Sequence, residues 1–256
     1  MCLLLLAIQA HPAYPLIIAG NRDEFYERPA SQAGFWKDHP EILAGRDLQA
    51  GGAWFGMTPK GRIAALTNYR DPASINPHAP SRGRLVTDFL IGEETPEVYL
   101  AALSRRPETF NGFNLTVGVK DHLCWYSNRG NGIYPIQPGI HGLSNHLLNT
   151  PWPKVSRARA ALAGMLSEEA PPSLDALFEL LADRTVSDDD HLPDTGVGIE
   201  WERILSPVFI TSPAYGTRCS SVLVIDQNNR AIFAERTYLS PPDPHKDVTF
   251  EFMLEG

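Results

Sequence analysis

The sequence predicts an α+β fold in which most strands pair antiparallel. Short apolar runs separated by turn residues indicate strands connected as hairpins, and helical segments follow groups of strands rather than single strands. Strands and helices do not alternate regularly, so the pattern is unlike that of a parallel sheet. At 256 residues the chain is within the size of a single hydrophobic core, and we expect one domain over residues 1–256.

The first hairpin carries the clearest pattern. Residues 2–9 and 16–20 are apolar and are separated by His11-Pro12-Ala13-Tyr14-Pro15, which is typical of two strands joined by a proline-bounded turn. The second strand is predicted to end on the polar cluster Gly20-Asn21-Arg22-Asp23-Glu24. Because the two arms of an antiparallel hairpin return together, we expect this cluster at the same end of the sheet as Cys2.

The middle of the chain predicts two further hairpins and two helices. Turn residues interrupt the apolar segments of residues 51–67 and 113–127, and each range is expected to form a hairpin, with Cys124 in a strand. Helices are expected over residues 81–90, after a capping serine, and over residues 95–103, where Thr-Pro-Glu is a strong helix start.

The last part of the chain repeats the order of strands followed by helices. Apolar residues at helical spacing predict the helices, and short β-branched or alternating runs predict the strands. The expected elements are strands at 133–136 and 141–145, helices from 155 to 166 and from Ser173, a polar loop at 183–201, strands at 209–211, 221–226 and 231–235, and an edge strand with Val248, Phe250 and Phe252.

Composition excludes several classes of function. A net charge of -8 disfavours nucleic acid as the main partner, since phosphate backbones select basic surfaces. The apolar run at residues 3–8 lacks a basic n-region and is too short to span a bilayer, so we expect no integral membrane segment. Three cysteines without paired spacing predict a reducing, cytoplasmic location. No metal-binding motif is present, and we predict no metal site.

Cys2 follows the initiator methionine directly. Removal of Met1 would leave one residue with both a thiol and an α-amine, whose pKa of roughly 7.7–8.0 suits a base at neutral pH. Cys2 would then be nucleophile and base at once. The alternative is an inert cysteine that begins a buried strand, because cysteine is among the most often buried residues.

Four segments of the chain resemble one known family. They are Met1-Cys2, Asn21-Arg22-Asp23-Glu24, Leu192-Pro193-Asp194-Thr195-Gly196 and Tyr215-Gly216-Thr217-Arg218. Together they are similar to the NRDE family, also called the transport and Golgi organisation protein family, from residue 2 to about residue 240. That family is similar to the N-terminal nucleophile hydrolases, which implies a four-layer αββα sandwich of two mostly antiparallel sheets.

The bile-salt hydrolase and penicillin V acylase group supplies a residue-by-residue analogy. It implies that Cys2 is the nucleophile, that Asn68 and Asn145 lie near the scissile carbonyl, and that Arg218 matches a late arginine of that group. In that group an arginine and an aspartate are two residues apart after the second strand, whereas Arg22 and Asp23 are adjacent. Either these two residues take those roles, or their neighbours Asn21 and Glu24 occupy those places.

The analogy and the clustering of polar residues at strand ends define the candidate site. Each residue also has an ordinary structural interpretation, as a turn residue, an ion pair or a loop histidine. The catalytic candidates are Cys2, Arg22, Asp23, Asn68, Asn145 and Arg218, and the substrate-binding candidates are Asn21, Glu24, Trp54 and His146.

Two functions follow from these residues and the resemblance. The first is hydrolysis of a non-peptide carbon–nitrogen amide bond through an acyl-Cys2 intermediate, which requires no cofactor. The second is a non-catalytic carrier of an apolar ligand, which the family resemblance links to haem trafficking and to lipid or acyl-CoA homeostasis. The sequence has no motif for covalent haem attachment, and it leaves the oligomeric state open.

Overall fold

Two antiparallel sheets stack face to face, with helices on both outer faces. The structure, a computed structural model, describes residues 2–239 and 244–255, apart from the side chain of Glu108. The order of the layers is helices, first sheet, second sheet, helices. This confirms the α+β class and the four-layer αββα sandwich that the resemblance implies.

The first sheet contains six strands and holds both ends of the described chain. Its strands lie in the order β10, β1, β2, β11, β12 and β13, and every neighbouring pair is antiparallel. Their bounds are β1 Cys2–Ile8, β2 Leu16–Phe25, β10 Gly139–Leu143, β11 Tyr215–Ile225, β12 Arg230–Tyr238 and β13 His245–Met253.

The second sheet contains seven strands that neighbour one another in chain order, β3 to β9, as expected of successive hairpins. Their bounds are β3 Ala30–Phe35, β4 Leu43–Asp47, β5 Phe55–Met57, β6 Ile63–Asn68, β7 Phe113–Val119, β8 His122–Ser127 and β9 Ile133–Pro135.

Five α-helices cover the sheets in the described part of the chain. They are α1 Gly83–Ile91, α2 Pro96–Ser104, α3 Pro153–Leu166, α4 Leu174–Leu181 and α5 Ile199–Ile204. Helices α1 and α2 pack on the second sheet, and α3 and α4 pack on the first. The Thr95 and Ser173 hydroxyls accept backbone N–H bonds at the starts of α2 and α4, as their sequences predict. None of these helices has the length and apolar character needed to cross a membrane.

Alternation along β1 divides the apolar residues between two cores. Leu4 and Leu6 belong to the core between the sheets, whereas Leu3 and Leu5 belong to the core beneath α3 and α4. Cys2 follows the even-numbered series and therefore faces the space between the sheets. The apolar run at the N-terminus is thus a strand buried on both faces.

Several elements differ from the prediction, including β11, which begins at Tyr215 instead of residue 221. Strand β2 continues through Phe25 because β11 pairs with it as far as Tyr215, so the polar cluster lies within a strand. Strands β3 and β4 were not predicted, since both are partly polar and contain glycine. The expected strand at 209–211 is reduced to an isolated bridge at Thr211, and α5 begins inside the expected polar loop.

Candidate active site around Cys2

A cleft of about 410 Å³ opens where β1 begins. Strands of both sheets and the start of α1 contribute to its walls. Seven of the residues predicted for the site line it: Cys2, Arg22, Asp23, Glu24, Trp54, Asn68 and Arg218. The fold therefore brings together residues that are far apart in the sequence.

Two thiols line the cleft on either side of Arg22. In the first sheet the Cα atom of Cys2 is opposite that of Arg22 on one side, and that of Cys219 is opposite on the other. With strands about 4.8 Å apart, the two cysteines are separated by roughly 9.5 Å between Cα atoms, beyond the reach of a disulfide. All three cysteines are free thiols.

The Cys2 side chain is only 6% exposed. Burial raises the pKa of its thiol, while the positive charge of Arg22 and a hydrogen bond from the backbone of Asp23 act in the opposite direction. The resting thiol is therefore protonated at neutral pH, and nucleophilic attack requires a base. Met1, whose removal would free an α-amine on Cys2, lies outside the described residues.

Arg22 provides a buried cation in the cleft wall. Its Nη2 donates to Oδ2 of Asp47 at 3.1 Å, and Arg28 donates to the same oxygen from Nε at 2.5 Å. Its Nη1 is buried and has no hydrogen-bond partner among the described residues. A buried donor without a partner is costly, so this group suits a ligand or the thiolate of Cys2.

Asp23 follows Arg22 in β2, and hydrogen bonds from the Tyr215-Gly216-Thr217-Arg218 segment fix its position. Its Oδ1 accepts from the Thr217 hydroxyl at 2.8 Å, and its backbone carbonyl accepts from the Tyr215 hydroxyl at 3.0 Å. Burial raises the pKa of the Asp23 carboxyl, and the charge of Lys154 acts against that rise. This arrangement gives the family motif a local purpose, which is to fix Asp23 beside the start of β1.

Arg218 and Glu24 hold the end of β2. Arg218 donates from Nη1 to the carbonyl oxygens of Phe25 at 2.8 Å and Arg28 at 2.9 Å, and it still lines the cleft. Glu24 lies 3.8 Å from Arg28 and accepts from the backbone N–H of Phe25 at 3.0 Å. Both side chains therefore shape the rim where β2 leaves the sheet.

The two asparagines from the analogy occupy different places. Asn68 ends β6 and lines the cleft, but Asn145 is fully buried and does not. The Asn145 amide nitrogen donates to the Asn68 carbonyl at 3.0 Å, and its oxygen accepts from Arg70 at 3.3 Å and Ser144 at 3.2 Å. The Ser144 hydroxyl also donates to the Cys2 carbonyl at 3.2 Å. Asn145 thus supports Asn68 and β1 from behind instead of facing the cleft.

Asn21 and His146 also lie outside the residues that line the cleft. Asn21 donates from its amide nitrogen to the carbonyl oxygens of Leu181 at 2.8 Å and Val208 at 2.9 Å, because its position in β2 directs it toward the helices. The His146 ring contacts Tyr69 and Trp152, and burial lowers its pKa. The sequence predicted substrate contact for both residues, but the geometry gives both a structural environment.

A buried ion pair behind the cleft was not predicted. Arg70 donates from Nη1 to Oε2 of Glu202 at 2.5 Å, and both side chains are almost fully buried. Oε1 of Glu202 accepts from the Thr195 backbone N–H at 2.9 Å and from its hydroxyl at 2.5 Å. Thr195 thereby attaches the Leu192-Pro193-Asp194-Thr195-Gly196 segment to the Arg70–Glu202 ion pair behind the cleft.

The start of α1 adds a further positive group to the cleft wall. Arg82 lines the cleft and donates from Nη1 to the Gly112 carbonyl at 2.7 Å. Gly83 lies so close to Gly52 that a Cβ atom on Gly52 would be 2.4 Å from the Gly83 carbonyl carbon. Glycine at position 52 therefore permits the helix N-terminus, with its positive dipole end, to lie at the cleft.

Comparisons with known proteins agree with this fold. The family model described as Transport and Golgi organisation 2 matches residues 1–240. Transport and Golgi organization protein 2 homologs from Bos taurus and Homo sapiens are 35% and 34% identical to this chain and cover 100% of each chain. The crystal structure of the C2A mutant of conjugated bile acid hydrolase from Clostridium perfringens superposes with a TM-score of 0.52 at 9% identity, covering 97% of this chain and 92% of that chain. That likeness is one of fold, whereas the family match and the full-length relatives together show that the chain belongs to the Transport and Golgi organisation 2 family.

Proposed function

We propose that the chain is a Cys2-dependent hydrolase of a non-peptide carbon–nitrogen amide bond, active once Met1 has been removed. The observation that carries the proposal is the register of Cys2 opposite Arg22, which sets the thiol in a cleft at the first residue of a strand. The fold shared with conjugated bile acid hydrolase supports it, and the C2A mutant of that protein has a substitution at its own position 2.

In the proposed reaction Cys2 supplies both the nucleophile, its sulfur, and the base, its α-amine. The free α-amine takes the thiol proton, and the sulfur attacks the amide carbonyl carbon to form a tetrahedral intermediate. The resulting α-ammonium returns the proton to the leaving nitrogen as the carbon–nitrogen bond breaks, which leaves a thioester on Cys2. Water then attacks the thioester, the amine accepts its proton, and the sulfur is released and reprotonated.

Three neighbouring residues have roles that fit their positions. The Asn68 side chain supplies an N–H donor for the oxyanion, a role supported by the place of Asn68 in the lining of the cleft that also contains Cys2. Arg22 stabilises the thiolate through its charge. Asp23 faces the α-ammonium from the adjacent strand, because the nitrogen of Cys2 lies toward the Arg22–Asp23 end of the ladder. Asn145 positions Asn68 through the bond to its carbonyl.

The charge of the cleft favours an amide substrate that carries an anionic group. The described lining residues include the arginines Arg22, Arg28, Arg46, Arg82 and Arg218 and the acids Asp23, Glu24, Asp47 and Glu235. Burial raises the pKa of Asp23 and of Glu235. Five arginines against four acids give the described lining a small positive excess in a chain of net charge -8, and this excess favours anions locally.

Two variants separate the roles of thiol and amine. We expect Cys2→Ala to abolish turnover of N-acyl amino acids, while a variant with one glycine inserted before Cys2 retains the thiol and loses turnover because its amine is displaced. Intact mass of the wild type should show loss of Met1 and, after acid quench, an acyl adduct on Cys2. Turnover that survives in Cys2→Ala would overturn the proposal, as would wild-type activity with Met1 retained. Circular dichroism checks that both variants are folded.

Arg82 offers a test of substrate charge. We expect Arg82→Gln to raise the KM for N-acyl amino acids about tenfold, the effect of losing one charge-assisted contact, and to leave KM for the corresponding neutral primary amides unchanged. An equal change for both substrates would contradict the anionic class while leaving the hydrolase proposal standing.

The alternative is a carrier that binds an apolar ligand in the same cleft, and the burial of a protonated Cys2 thiol favours it. If haem is the cargo, Cys2 and Cys219 are the residues in the described lining whose side chains are of a type that ligates haem iron. A Soret shift on haem titration that is lost in Cys2→Ala, together with retained Met1 and no amide turnover, would support the carrier.

The three free thiols support a reducing compartment, and we propose the cytoplasm for either function.

A further inference from the structure

A second cluster of reactive side chains lies on the outer face of the second sheet, among residues that do not line the cleft. His122 and Cys124 are two residues apart in β8, so their side chains lie on the same face of the sheet. Glu97 reaches them from the first turn of α2, which packs on β8. One donor atom from each residue lies within 4.8 Å of the other two.

The spacing of the donor atoms is that of metal ligands. The Cys124 sulfur is 3.5 Å from Nε2 of His122 and 3.6 Å from Oε1 of Glu97. For zinc at about 2.3 Å from sulfur and about 2.0–2.1 Å from nitrogen or oxygen, a tetrahedral angle gives roughly 3.5 Å between such ligands. The Glu97 oxygen and the His122 nitrogen are in hydrogen-bond contact, so they have to move apart for a cation to enter between them.

The donor types select zinc from among the common cations. Magnesium and calcium prefer oxygen ligands, whereas a thiolate with an imidazole and one carboxylate is a set typical of zinc. We propose that Cys124 Sγ, His122 Nε2 and Glu97 Oε1 bind one Zn²⁺ ion, with a fourth position open to water. The Cys124 thiol releases its proton to solvent when the metal binds.

The placement of the three ligands predicts what the metal does. Cys124 is 1% exposed and lies in the core beneath α2, while Glu97 and His122 are exposed above it. A bound ion would join α2 to β8, and binding to the folded state alone raises the unfolding temperature by mass action. The proposal is independent of the hydrolase chemistry, because none of the three residues lines the Cys2 cleft.

An exposed histidine–glutamate pair elsewhere in the chain supplies a matched control. His39 and Glu41 lie 3.5 Å apart as an ordinary surface ion pair without a cysteine ligand. If the Glu97–His122 contact is nothing more than such a pair, both pairs should respond to metal in the same way. The sulfur of Cys124 is therefore what the experiment has to detect.

Cobalt substitution detects it directly in the full-length, tag-free protein. We expect one equivalent of Co²⁺ to bind. The complex should show a thiolate-to-cobalt charge-transfer band in the near ultraviolet and visible bands with the intensity of tetrahedral cobalt, and Zn²⁺ should displace the Co²⁺. The band should persist in Cys2→Ala and His39→Ala and disappear in Cys124→Ser. His122→Ala and Glu97→Gln should weaken binding by at least the roughly 10–100-fold that loss of an outer-shell partner produces.

Unfolding temperature provides a second measurement that does not depend on the spectrum. Zinc should raise the unfolding temperature of the wild type and of Cys2→Ala, and it should leave the unfolding temperature of Cys124→Ser unchanged. A cobalt band that survives in Cys124→Ser but is lost in Cys2→Ala would assign metal binding to the cleft and overturn the proposal. Equal affinities for the wild type, His122→Ala and Glu97→Gln would overturn it as well.

Discussion

The Cα atom of Cys2 lies opposite that of Arg22 in the ladder between the first two strands. Residues directly opposite in an antiparallel pair extend their side chains on the same face of the sheet, so the thiol and the guanidinium share the cleft wall. The pairing joins the N-terminal residue of the first strand to the Asn21-Arg22-Asp23-Glu24 segment. It thereby gives a physical reason for a motif at a fixed distance from an early cysteine.

Arg22→Ala should slow alkylation of Cys2 by iodoacetamide. Burial already raises the pKa of this thiol, and Arg22 opposes that rise, so its removal raises the pKa further. The alkylation rate near pH 8 should therefore fall, because the thiolate is the reacting form. The rate at Cys2 is followed by peptide mass spectrometry from pH 7 to 10. Arg230→Ala, which alters an exposed pair with Glu251, should leave the rate unchanged, and an equal rate in Arg22→Ala would contradict the prediction.

Asn68→Ala should lower activity, whereas Asn145→Ala should lower stability. Loss of the Asn68 amide removes the oxyanion donor of the proposed mechanism, and we expect kcat to fall about 10²–10³-fold with a nearly unchanged unfolding temperature. Loss of the Asn145 amide removes its hydrogen bonds with the Asn68 carbonyl, Arg70 and the Ser144 hydroxyl, and leaving buried polar groups short of a partner costs about 1–3 kcal/mol of unfolding free energy. Steady-state kinetics and urea unfolding of both variants separate the two effects. Full kcat in Asn68→Ala would remove that residue from the mechanism.

The fold could be predicted from the sequence where apolar periodicity is strong. The first hairpin, the β7–β8 hairpin and the capped starts of α2 and α4 have local signals, and the structure confirms them. Strands β3 and β4 lack such a signal, because their partly polar residues are held by pairing across the sheet. The sequence pattern ends β2 too early for the same reason, since the polar residues at its end are held by pairing with β11.

The site could be predicted in part. Cys2, Arg22 and Asn68 follow from strand ends and from the family resemblance, and they do line one cleft. Arg70 and Glu202 could not be found this way, because 132 residues separate the two partners of one ion pair. Long-range pairing of charged residues leaves no periodic trace in a single sequence. The Glu97, His122 and Cys124 cluster was missed for the same reason, since its carboxylate comes from another element.

Glu202→Gln should destabilise the protein strongly. The change removes the carboxylate that pairs with buried Arg70 at 2.5 Å, and breaking a buried pair from one side costs about 3–5 kcal/mol. The double variant Arg70→Met with Glu202→Leu should recover part of that loss, because no buried charge then remains from the pair. Urea unfolding measures all three proteins. Asp189→Asn, which breaks the exposed pair with Arg203, should change little, and an equally small effect of Glu202→Gln would contradict the prediction.

Lys154 makes stability depend on pH in the alkaline range. Its side chain is 2% exposed and donates to the Leu205 carbonyl at 2.9 Å, and burial lowers its pKa to about 8. Between pH 8 and the ordinary value of 10.5 the unfolded chain therefore binds more protons at this group than the folded chain. The contribution of Lys154 to the unfolding free energy rises with pH across this window, by about 3 kcal/mol in total.

Lys154→Met keeps the length of the side chain and removes its titration. Buried Cys219 and Tyr215 have raised pKa values and contribute in the opposite direction as the pH rises, so the quantity to follow is the difference between wild type and variant. Urea unfolding at pH 7, 8, 9 and 10 should show the wild type gaining stability relative to Lys154→Met as the pH increases. The same comparison with exposed Lys37→Met should show no such trend. A constant difference between wild type and Lys154→Met from pH 7 to 10 would mean that Lys154 remains charged in the fold, held by its neighbours Asp23 and Glu202.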